Sequence, residues 1–150
     1  VRSQALRARD SGAAPPTVVV TGAAGFIGSN AVLALLEAGY RVVGVDNFSR
    51  GYSETVKTLE QEAKTDHYAH AGGFKFYQVD LGHGKDFAGI LLQEKPLAVL
   101  HFAGVAYAGE SAREPLRYYW NNTVNTMKVI EAMSAADVKN LVYSSSCSTY

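Results

Sequence analysis

Three glycines with the spacing G-x-x-G-x-x-G lie between an apolar run and a helical pattern, and this arrangement constrains the fold more than any other feature of the chain. The apolar run is Thr17 to Thr21, the glycines are Gly22, Gly25 and Gly28, and the helical pattern continues to Ala38. Glycine tolerates a turn too tight for a Cβ and lets two backbone segments approach closely. The segment therefore predicts a strand, a tight turn, and a helix that packs against the strand.

The same turn predicts a site for a dinucleotide. Gly22 would permit the turn, Gly25 would let the backbone approach a pyrophosphate, and Gly28 would let the helix lie near the strand. Backbone N–H groups at the helix start would then face the phosphates. A second apolar run, Arg41 to Asp46, ends in a carboxylate about 20 residues after the turn, where it can accept hydrogen bonds from an adenosine ribose.

Asp46 favours NAD over NADP as the cofactor, because a 2′-phosphate would meet its negative charge at close range. Arg50 lies four residues further on and could partly compensate that charge.

Strand and helix patterns continue to alternate after Asp46, beyond a polar stretch from Glu54 to Asp66. The further predicted elements are strands at Phe74–Val79, Leu97–Phe102 and Leu141–Ser145 and helices at Lys85–Gln93 and Pro115–Ala135. This order predicts an α/β fold, a Rossmann-type doubly wound parallel sheet with helices on both faces. Its ligands should bind beyond the carboxyl ends of the strands.

Composition narrows the class of protein. The chain has 150 residues, of which 47% are hydrophobic, enough for one domain with a sizeable core. Fourteen basic and fourteen acidic residues give a formal net charge of zero, which favours neither nucleic acid nor an anionic membrane as a partner. Cys147 is the only cysteine, so an internal disulfide is excluded, and a reducing compartment is the simplest setting.

The first sixteen residues differ in kind from the rest. They combine Arg2, Arg7 and Arg9 with small and polar residues and end in Pro15-Pro16. We predict a disordered tail at 1–16, either an ordinary tail or the remnant of an organelle-targeting segment, and a nucleotide-binding domain at 17–150. The first residue is Val rather than Met, which suggests processing or truncation.

Several strand ends carry residues suited to ligand binding. Asp80 and Leu81 can meet the adenine edge, and the small-residue turn Phe102-Ala103-Gly104 is either a place where backbone passes the cofactor or an ordinary strand exit. The hydroxyl-rich run from Ser144 to Tyr150 could hydrogen-bond a sugar or serve as a polar loop.

Other catalytic chemistries have little support in the sequence. His101 lies inside an apolar strand, which is typical of a core or supporting histidine and not of a base. With one cysteine and no H-x-x-x-H or C-x-x-C spacing, we predict no metal site.

Five ordered motifs together resemble the extended short-chain dehydrogenase/reductase family, and more narrowly its nucleotide-sugar 4-epimerases. The motifs are TGAAGFIG at 21–28, VDNFSRG at 45–51, HFAGVAYAGES at 101–111, YYWNN at 118–122 and YSSSCSTY at 143–150. UDP-glucose 4-epimerases usually carry a lysine where this chain has Ala106. The surrounding residues look closer to the UDP-arabinose (UDP-xylose) 4-epimerase branch, so the choice between a hexose and a pentose stays open.

The resemblance implies a role for individual residues. It places Gly22, Gly25, Phe26, Ile27 and Gly28 at the pyrophosphate, Asp46 and Asn47 at the adenosine ribose, Asp80 and Leu81 near adenine, Phe102, Ala103 and Gly104 at the nicotinamide, Asn121 as a cofactor support, and Ser146 as the catalytic serine. Ser146 would hydrogen-bond the sugar 4-hydroxyl and share proton transfer with a tyrosine.

That tyrosine belongs to a Y-x-x-x-K motif, in which lysine lowers the tyrosine pKa. Among the tyrosines with at least four residues after them, none has a lysine four residues later, and Tyr150 matches the tyrosine that follows the serine run in the family and not the catalytic tyrosine. We therefore expect these residues to be the NAD-binding part of a longer UDP-sugar 4-epimerase and to be inactive alone. The alternatives are a non-catalytic NAD-binding scaffold subunit and a nucleotide-sugar dehydratase or decarboxylase.

The resemblance also implies a UDP-sugar as the substrate, and dimers are common in the family, so a homodimer is expected. We expect a cytoplasmic location, with the Golgi lumen and the plastid as alternatives.

Overall fold

The computed structural model describes residues 5, 7, 8 and 11–146. Within that part, the strands are β1 (Thr17–Thr21), β2 (Arg41–Asp46), β3 (Phe74–Gln78), β4 (Ala98–His101) and β5 (Leu141–Tyr143). They form one parallel sheet in the order β3-β2-β1-β4-β5. The chain winds outward from β1 first in one direction and then in the other, so the predicted doubly wound sheet is confirmed.

Helices connect the strands. In the described residues they are α1 (Phe26–Glu37), α2 (Ser53–Glu62), a 3-10 turn (Asp66–Tyr68), α3 (Gly84–Glu94), α4 (Ala108–Ser111), α5 (Pro115–Tyr118), a π-helical segment (Tyr119–Val124) and α6 (Asn125–Ala135). The segment predicted as one helix from Pro115 to Ala135 is helical throughout, with the π-helical turns in its middle. α2 lies in the polar stretch to which the sequence pattern assigned no element. Only Val56 and Leu59 are buried in it, too few to show a helical period.

The two faces of the sheet carry separate hydrophobic cores because side chains alternate along a strand. Val19 of β1 packs in one core, with apolar side chains of α3 and α6. Val18 and Val20 pack in the other, with side chains of α1 and Leu59 of α2. Helices therefore cover both faces, as predicted, and the carboxyl ends of the central strands stay accessible at one edge.

Ala5 lies in the segment for which we predicted disorder, and here the structure differs from that expectation. The residue is helical and 4% exposed, and it packs in the same core as Val18 and Val20. Ser11 N donates a hydrogen bond to Arg7 O at 3.0 Å. Burial of one small apolar side chain thus holds this part of the segment against the domain. Residues 1–4, 6, 9 and 10 of the predicted tail, and 147–150 of the hydroxyl-rich run, lie outside the described residues.

Candidate functional site

A cleft of about 720 Å³ opens where the turn after β1 meets the segments after β2, β3 and β4. Its size suits a small-molecule ligand. All the residues predicted to bind the cofactor line it, namely Gly22, Gly25, Phe26, Ile27, Gly28, Asp46, Asn47, Asp80, Leu81, Phe102, Ala103, Gly104 and Asn121. The topology thus brings five separated stretches of sequence to one edge of the sheet.

The turn after β1 needs glycine at two positions. Gly22 has a φ of +71°, and a Cβ there would lie 2.7 Å from Ala103 N. At Gly28, a Cβ would lie 2.7 Å from the carbonyl carbon of Gly22 and still closer to its oxygen. Backbone cannot move aside as a flexible side chain can, so these positions exclude larger residues. Gly28 lets α1 pack against the end of β1, as predicted from the spacing.

The start of α1 can receive an anion. Gly25 is the residue at its N-terminal cap, and no side chain in the described part of the chain caps it. The first turn, from Phe26 to Ser29, contains no acidic residue. The first N–H groups of a helix have no partner within it and carry partial positive charge. The cradle formed by Gly22, Gly25 and Gly28 therefore fits a pyrophosphate.

Asp46 is tied to the turn that it was predicted to accompany. Its Oδ2 accepts a hydrogen bond from Ala24 N at 3.1 Å, and its Oδ1 accepts one from Phe48 N at 2.8 Å. These bonds fix the carboxylate at the end of β2, beside the cleft. Each carboxylate oxygen has a second lone pair, so Asp46 can also accept from a ribose hydroxyl.

Asn47 and Asp80 join the ends of β2 and β3. Asn47 Nδ2 donates to Asp80 Oδ2 at 2.8 Å, and Gly82 N donates to Asp80 Oδ1 at 2.7 Å. These bonds lower the pKa of Asp80, the Asn47 amide being the largest cause. Lys128 Nζ donates to Gly82 O and holds this loop from α6. At the adenine end of the predicted site, the Asp80 carboxylate is thus held in place by hydrogen bonds from Asn47 and Gly82.

The segment after β4 is held by a residue that the sequence reasoning missed. Asn122 Oδ1 accepts from Val105 N at 2.9 Å, and Asn122 Nδ2 donates to Val105 O at 2.8 Å. Asn121, the residue predicted to support the cofactor, lines the cleft and donates from Nδ2 to Arg117 O at 3.1 Å. The Asn121-Asn122 pair lies in the π-helical segment, a form frequent at functional sites. The doubled asparagine in YYWNN was the only signal for Asn122 in the sequence.

His101 is a buried, hydrogen-bonded histidine, as predicted from its place in an apolar strand. Its side chain lies between Thr21 Oγ1, 2.7 Å from Nδ1, and Thr126 Oγ1, 3.1 Å from Nε2. Because the Thr126 hydroxyl donates to Asn122 O at 2.7 Å, it accepts from His101, which assigns the proton to Nε2. Nδ1 then accepts from Thr21. Burial lowers the pKa of His101 to about 4.

The chain of bonds around His101 reaches the cleft. Thr21 Oγ1 accepts from Ala103 N at 3.3 Å, so the neutral imidazole supports the backbone on which the nicotinamide half of the predicted site depends. His101 therefore positions residues and does not act as a base.

Further residues line the cleft beyond those predicted for the site, among them Arg50, Tyr52 and Tyr107. Arg50 forms an ion pair with Glu110, which joins the loop after β2 to the segment after β4. From the sequence, Arg50 was noted only for its charge near Asp46, and no pattern predicted its ion pair with Glu110 or the place of Tyr52 and Tyr107 in the cleft.

Ser146 is exposed and follows β5, the strand beside β4 in the sheet. The described lining of the cleft does not include it. Its role as the catalytic serine stays a prediction. Among residues 5, 7, 8 and 11–146, no group of three or more His, Cys, Asp or Glu side chains could hold a metal ion. Over the same residues, no helix has the length and apolar character of a bilayer-crossing segment.

Comparison with known proteins gives a consistent result. The chain is 49% identical over 133 residues to a probable UDP-arabinose 4-epimerase of Oryza sativa subsp. japonica, covering 89% of this chain and 32% of that protein. It is 42% identical over 137 residues to the UDP-glucose 4-epimerase of Drosophila melanogaster, covering 91% of this chain and 39% of that protein. The chain therefore spans about a third of the length of the curated relatives it matches.

Solved structures agree with the sequence relatives. The UDP-glucose-4-epimerase from Stenotrophomonas maltophila, solved with bound NAD and formylated UDP-arabinopyranose, matches with a TM-score of 0.79 and 32% identity, over 89% of this chain and 38% of that one. The family model that matches residues 18–150 is described as the NAD dependent epimerase/dehydratase family. With a doubly wound parallel sheet and a glycine-lined cleft at its carboxyl edge, the chain belongs to the NAD dependent epimerase/dehydratase family.

Proposed function

We propose that this chain is the NAD-binding part of a UDP-sugar 4-epimerase. The observation that carries the proposal is the cleft itself, in which the uncapped start of α1, the carboxylate of Asp46 and the backbone after β4 lie together. A dinucleotide needs these features in this order, for its pyrophosphate, its adenosine ribose and its nicotinamide. The relatives add the reaction, since the two sequence relatives described above are UDP-sugar 4-epimerases.

The chemistry that bound NAD would supply is reversible hydride transfer at C4 of the sugar. The residues of this chain would bind and orient it. Gly22, Gly25 and Gly28 leave room for the pyrophosphate against backbone N–H groups, and Asp46 accepts from the ribose. Val105, held by Asn122, fixes the segment beside the nicotinamide.

Ser146 would donate a hydrogen bond to, and exchange a proton with, the 4-hydroxyl of the sugar. None of the tyrosines from Tyr40 to Tyr143 has a lysine four positions later. We therefore propose that these residues bind NAD without turning over a UDP-sugar alone, and that turnover needs a tyrosine base from outside them.

UDP-arabinose is the first substrate to test. Identity is 47% to 49% with the UDP-arabinose 4-epimerases of rice and Arabidopsis thaliana, and 42% and 41% with two UDP-glucose 4-epimerases. Ala106, where UDP-glucose enzymes usually carry a lysine, lines the cleft. Assembly as a homodimer and a cytoplasmic location stay predictions.

The first test is the intact mass of the native polypeptide and the sequence of its C-terminal peptides. A mass well above 16.1 kDa together with a Y-x-x-x-K peptide supports the front part of an active epimerase. A native end at Tyr150 would favour the scaffold alternative.

The second test measures NAD binding to the native polypeptide by calorimetry. Proton NMR then follows the conversion of UDP-arabinose by the same polypeptide. An epimerase forms the 4-epimer, UDP-xylose. UDP-arabinose has neither a carboxyl group nor a C6 hydroxyl, so the alternatives need other substrates. Loss of water from UDP-glucose would indicate a dehydratase, and loss of carbon dioxide from UDP-glucuronate would indicate a decarboxylase. Ser146→Ala should lose most turnover and keep NAD binding, and unchanged turnover would contradict the role of Ser146.

A further inference from the structure

The loops on the two sides of the cleft are joined by one ion pair. Arg50, in the loop after β2, and Glu110, in α4, are 60 residues apart in the chain. Arg50 Nη2 donates to Glu110 Oε1 at 2.6 Å and also contacts Oε2. Arg50 and Asp46 both line the cleft, four residues apart. The Arg50 end of the pair therefore lies in the cleft, in the loop that follows Asp46, and the Glu110 end lies in the segment after β4.

An arginine in this place has a known chemical use. In dinucleotide sites of this topology, an arginine near the end of the second strand accommodates the 2′-phosphate of NADP. Its planar guanidinium matches phosphate oxygens with two parallel hydrogen bonds. Arg50 therefore has the position and the chemistry to bind NADP, in opposition to the negative charge of Asp46.

Neighbouring side chains hold Glu110 in position to pair with Arg50. Tyr118 Oη donates to Glu110 Oε2 at 2.7 Å, and Arg117 Nη1 lies 3.1 Å from Oε1. The Arg50 hydrogen bond is the largest cause of a Glu110 pKa of about 2, so the carboxylate is charged at neutral pH. The guanidinium of Arg50 also lies 5.0 Å from the ring centroid of Tyr107, which keeps it beside the cleft.

We propose that Glu110 favours NAD over NADP, because its ion pair with Arg50 keeps that guanidinium from binding a 2′-phosphate. This inference depends on the proposed NAD binding. A 2′-phosphate that approached Arg50 would have to displace the Glu110 carboxylate or share the guanidinium with it, and either arrangement places like charges together. Selection against NADP thus has two sources, the charge of Asp46 and the neutralisation of Arg50, a cation of the same cleft that could offset it.

The test compares dissociation constants for NAD and NADP in calorimetric titrations of the protein and of Glu110→Gln. The glutamine keeps the size of the side chain and removes its charge, while Tyr107 still holds Arg50 near the cleft. We expect the ratio of the NADP to the NAD constant to fall about tenfold or more, because Arg50 gains freedom to pair with phosphate. An unchanged ratio in a folded variant overturns the proposal.

Matched variants separate this effect from a general change of charge. Glu114→Gln removes a carboxylate that lies 3.2 Å from Arg117 Nη1 and, in the described residues, forms no ion pair with Arg50. It should therefore leave the ratio unchanged. The double variant Arg50→Gln/Glu110→Gln should return to the ratio of the unsubstituted protein. An equal effect of Glu114→Gln, or no reversal in the double variant, would overturn the proposal.

Two further outcomes cover folding and the underlying function. If Glu110→Gln does not fold, Arg50→Gln alone decides. In that variant the ratio of the NADP to the NAD dissociation constant should not rise, because an Arg50 paired with Glu110 does not assist NADP binding. A rise would overturn the proposal. If the unsubstituted protein binds no NAD, the proposed function fails and this inference with it, whereas normal NAD binding with an unchanged ratio overturns the inference alone.

Discussion

Asn122 forms two hydrogen bonds with the backbone of a single residue, Val105. Its Oδ1 accepts from Val105 N at 2.9 Å and its Nδ2 donates to Val105 O at 2.8 Å. A primary amide is the one uncharged side-chain group that presents a donor and an acceptor side by side in this way. The helix from Pro115 to Ala135 therefore sets the path of the segment that lines the nicotinamide half of the cleft.

Removal of this clamp should affect both stability and binding. Asn122→Ala leaves the buried Val105 backbone without its two partners, and we expect the free energy of unfolding to fall by about 2 kcal/mol. NAD binding should weaken as well. Urea denaturation and calorimetric titration measure the two effects. Asn121→Ala is the matched control for stability, since it loses one exposed bond within its own helix, and an equal loss of unfolding free energy in both variants would contradict the clamp.

The buried His101 should make stability depend on pH. Its pKa is about 4 in the folded protein, below the ordinary value of 6.5. The unfolded chain binds the proton more readily, so the stabilising effect is complete above about pH 6.5 and is lost as the pH falls toward 4. The shift corresponds to about 3 kcal/mol.

Urea denaturation between pH 7 and pH 4 tests this, with His101→Gln for comparison. The difference in unfolding free energy between the two proteins should shrink toward low pH. Proton NMR of the His101 ring in the native protein gives a second reading, in which a midpoint near 6.5 would contradict the expected shift. Glu94 and Glu110, with pKa values of about 2, contribute mainly below this window.

Gly28 should tolerate no side chain. A Cβ would meet the backbone of Gly22, so Gly28→Ala should lower the free energy of unfolding by about 3 kcal/mol or more, or prevent folding. Gly89 is the matched control, because it is exposed in α3 and, apart from its chain neighbours and the backbone of its own helix, no described heavy atom lies within 4 Å of its Cβ position. Gly89→Ala should raise stability by about 0.5 to 1 kcal/mol through helix propensity. Thermal melting compares them, and a well-folded Gly28→Ala protein would contradict the packing described for α1.

Removal of two tyrosine hydroxyls, the buried one of Tyr40 and the partly buried one of Tyr77, should affect stability differently. The Tyr40 hydroxyl is fully buried, with no hydrogen-bond partner among the described residues. Tyr40→Phe should therefore leave stability unchanged or raise it by up to about 1 kcal/mol. Tyr77 Oη instead donates to Glu94 Oε1 at 2.6 Å, within a cluster that includes Arg41 and Lys75.

Tyr77→Phe should lower the free energy of unfolding by about 1 to 2 kcal/mol, because a hydrogen bond to a charged group is lost. Chemical denaturation of both variants gives the comparison. A loss at Tyr40 equal to that at Tyr77 would show that the Tyr40 hydroxyl has a partner in solution.

Local sequence patterns predicted the order of the five strands, the helices α1 and α3, the long helical segment from Pro115 to Ala135, and the residues at the strand ends. Apolar runs of strand length predicted β1 and β2 at their observed positions, and the glycine spacing predicted the turn that joins β1 to α1. Once the strands are parallel and doubly wound, their carboxyl ends must share an edge, so the cleft followed from the same patterns.

Tertiary structure decided the contacts between distant side chains. Arg50 and Glu110 form their ion pair although 60 residues separate them in the chain. Asn122 bonds to Val105 from π-helical turns that the apolar pattern of the sequence does not reveal. α2 forms in a polar stretch because Val56 and Leu59 find a surface to bury against. Such contacts depend on where loops and helices lie in space, and single-sequence patterns carry no information on distance between residues far apart in the chain.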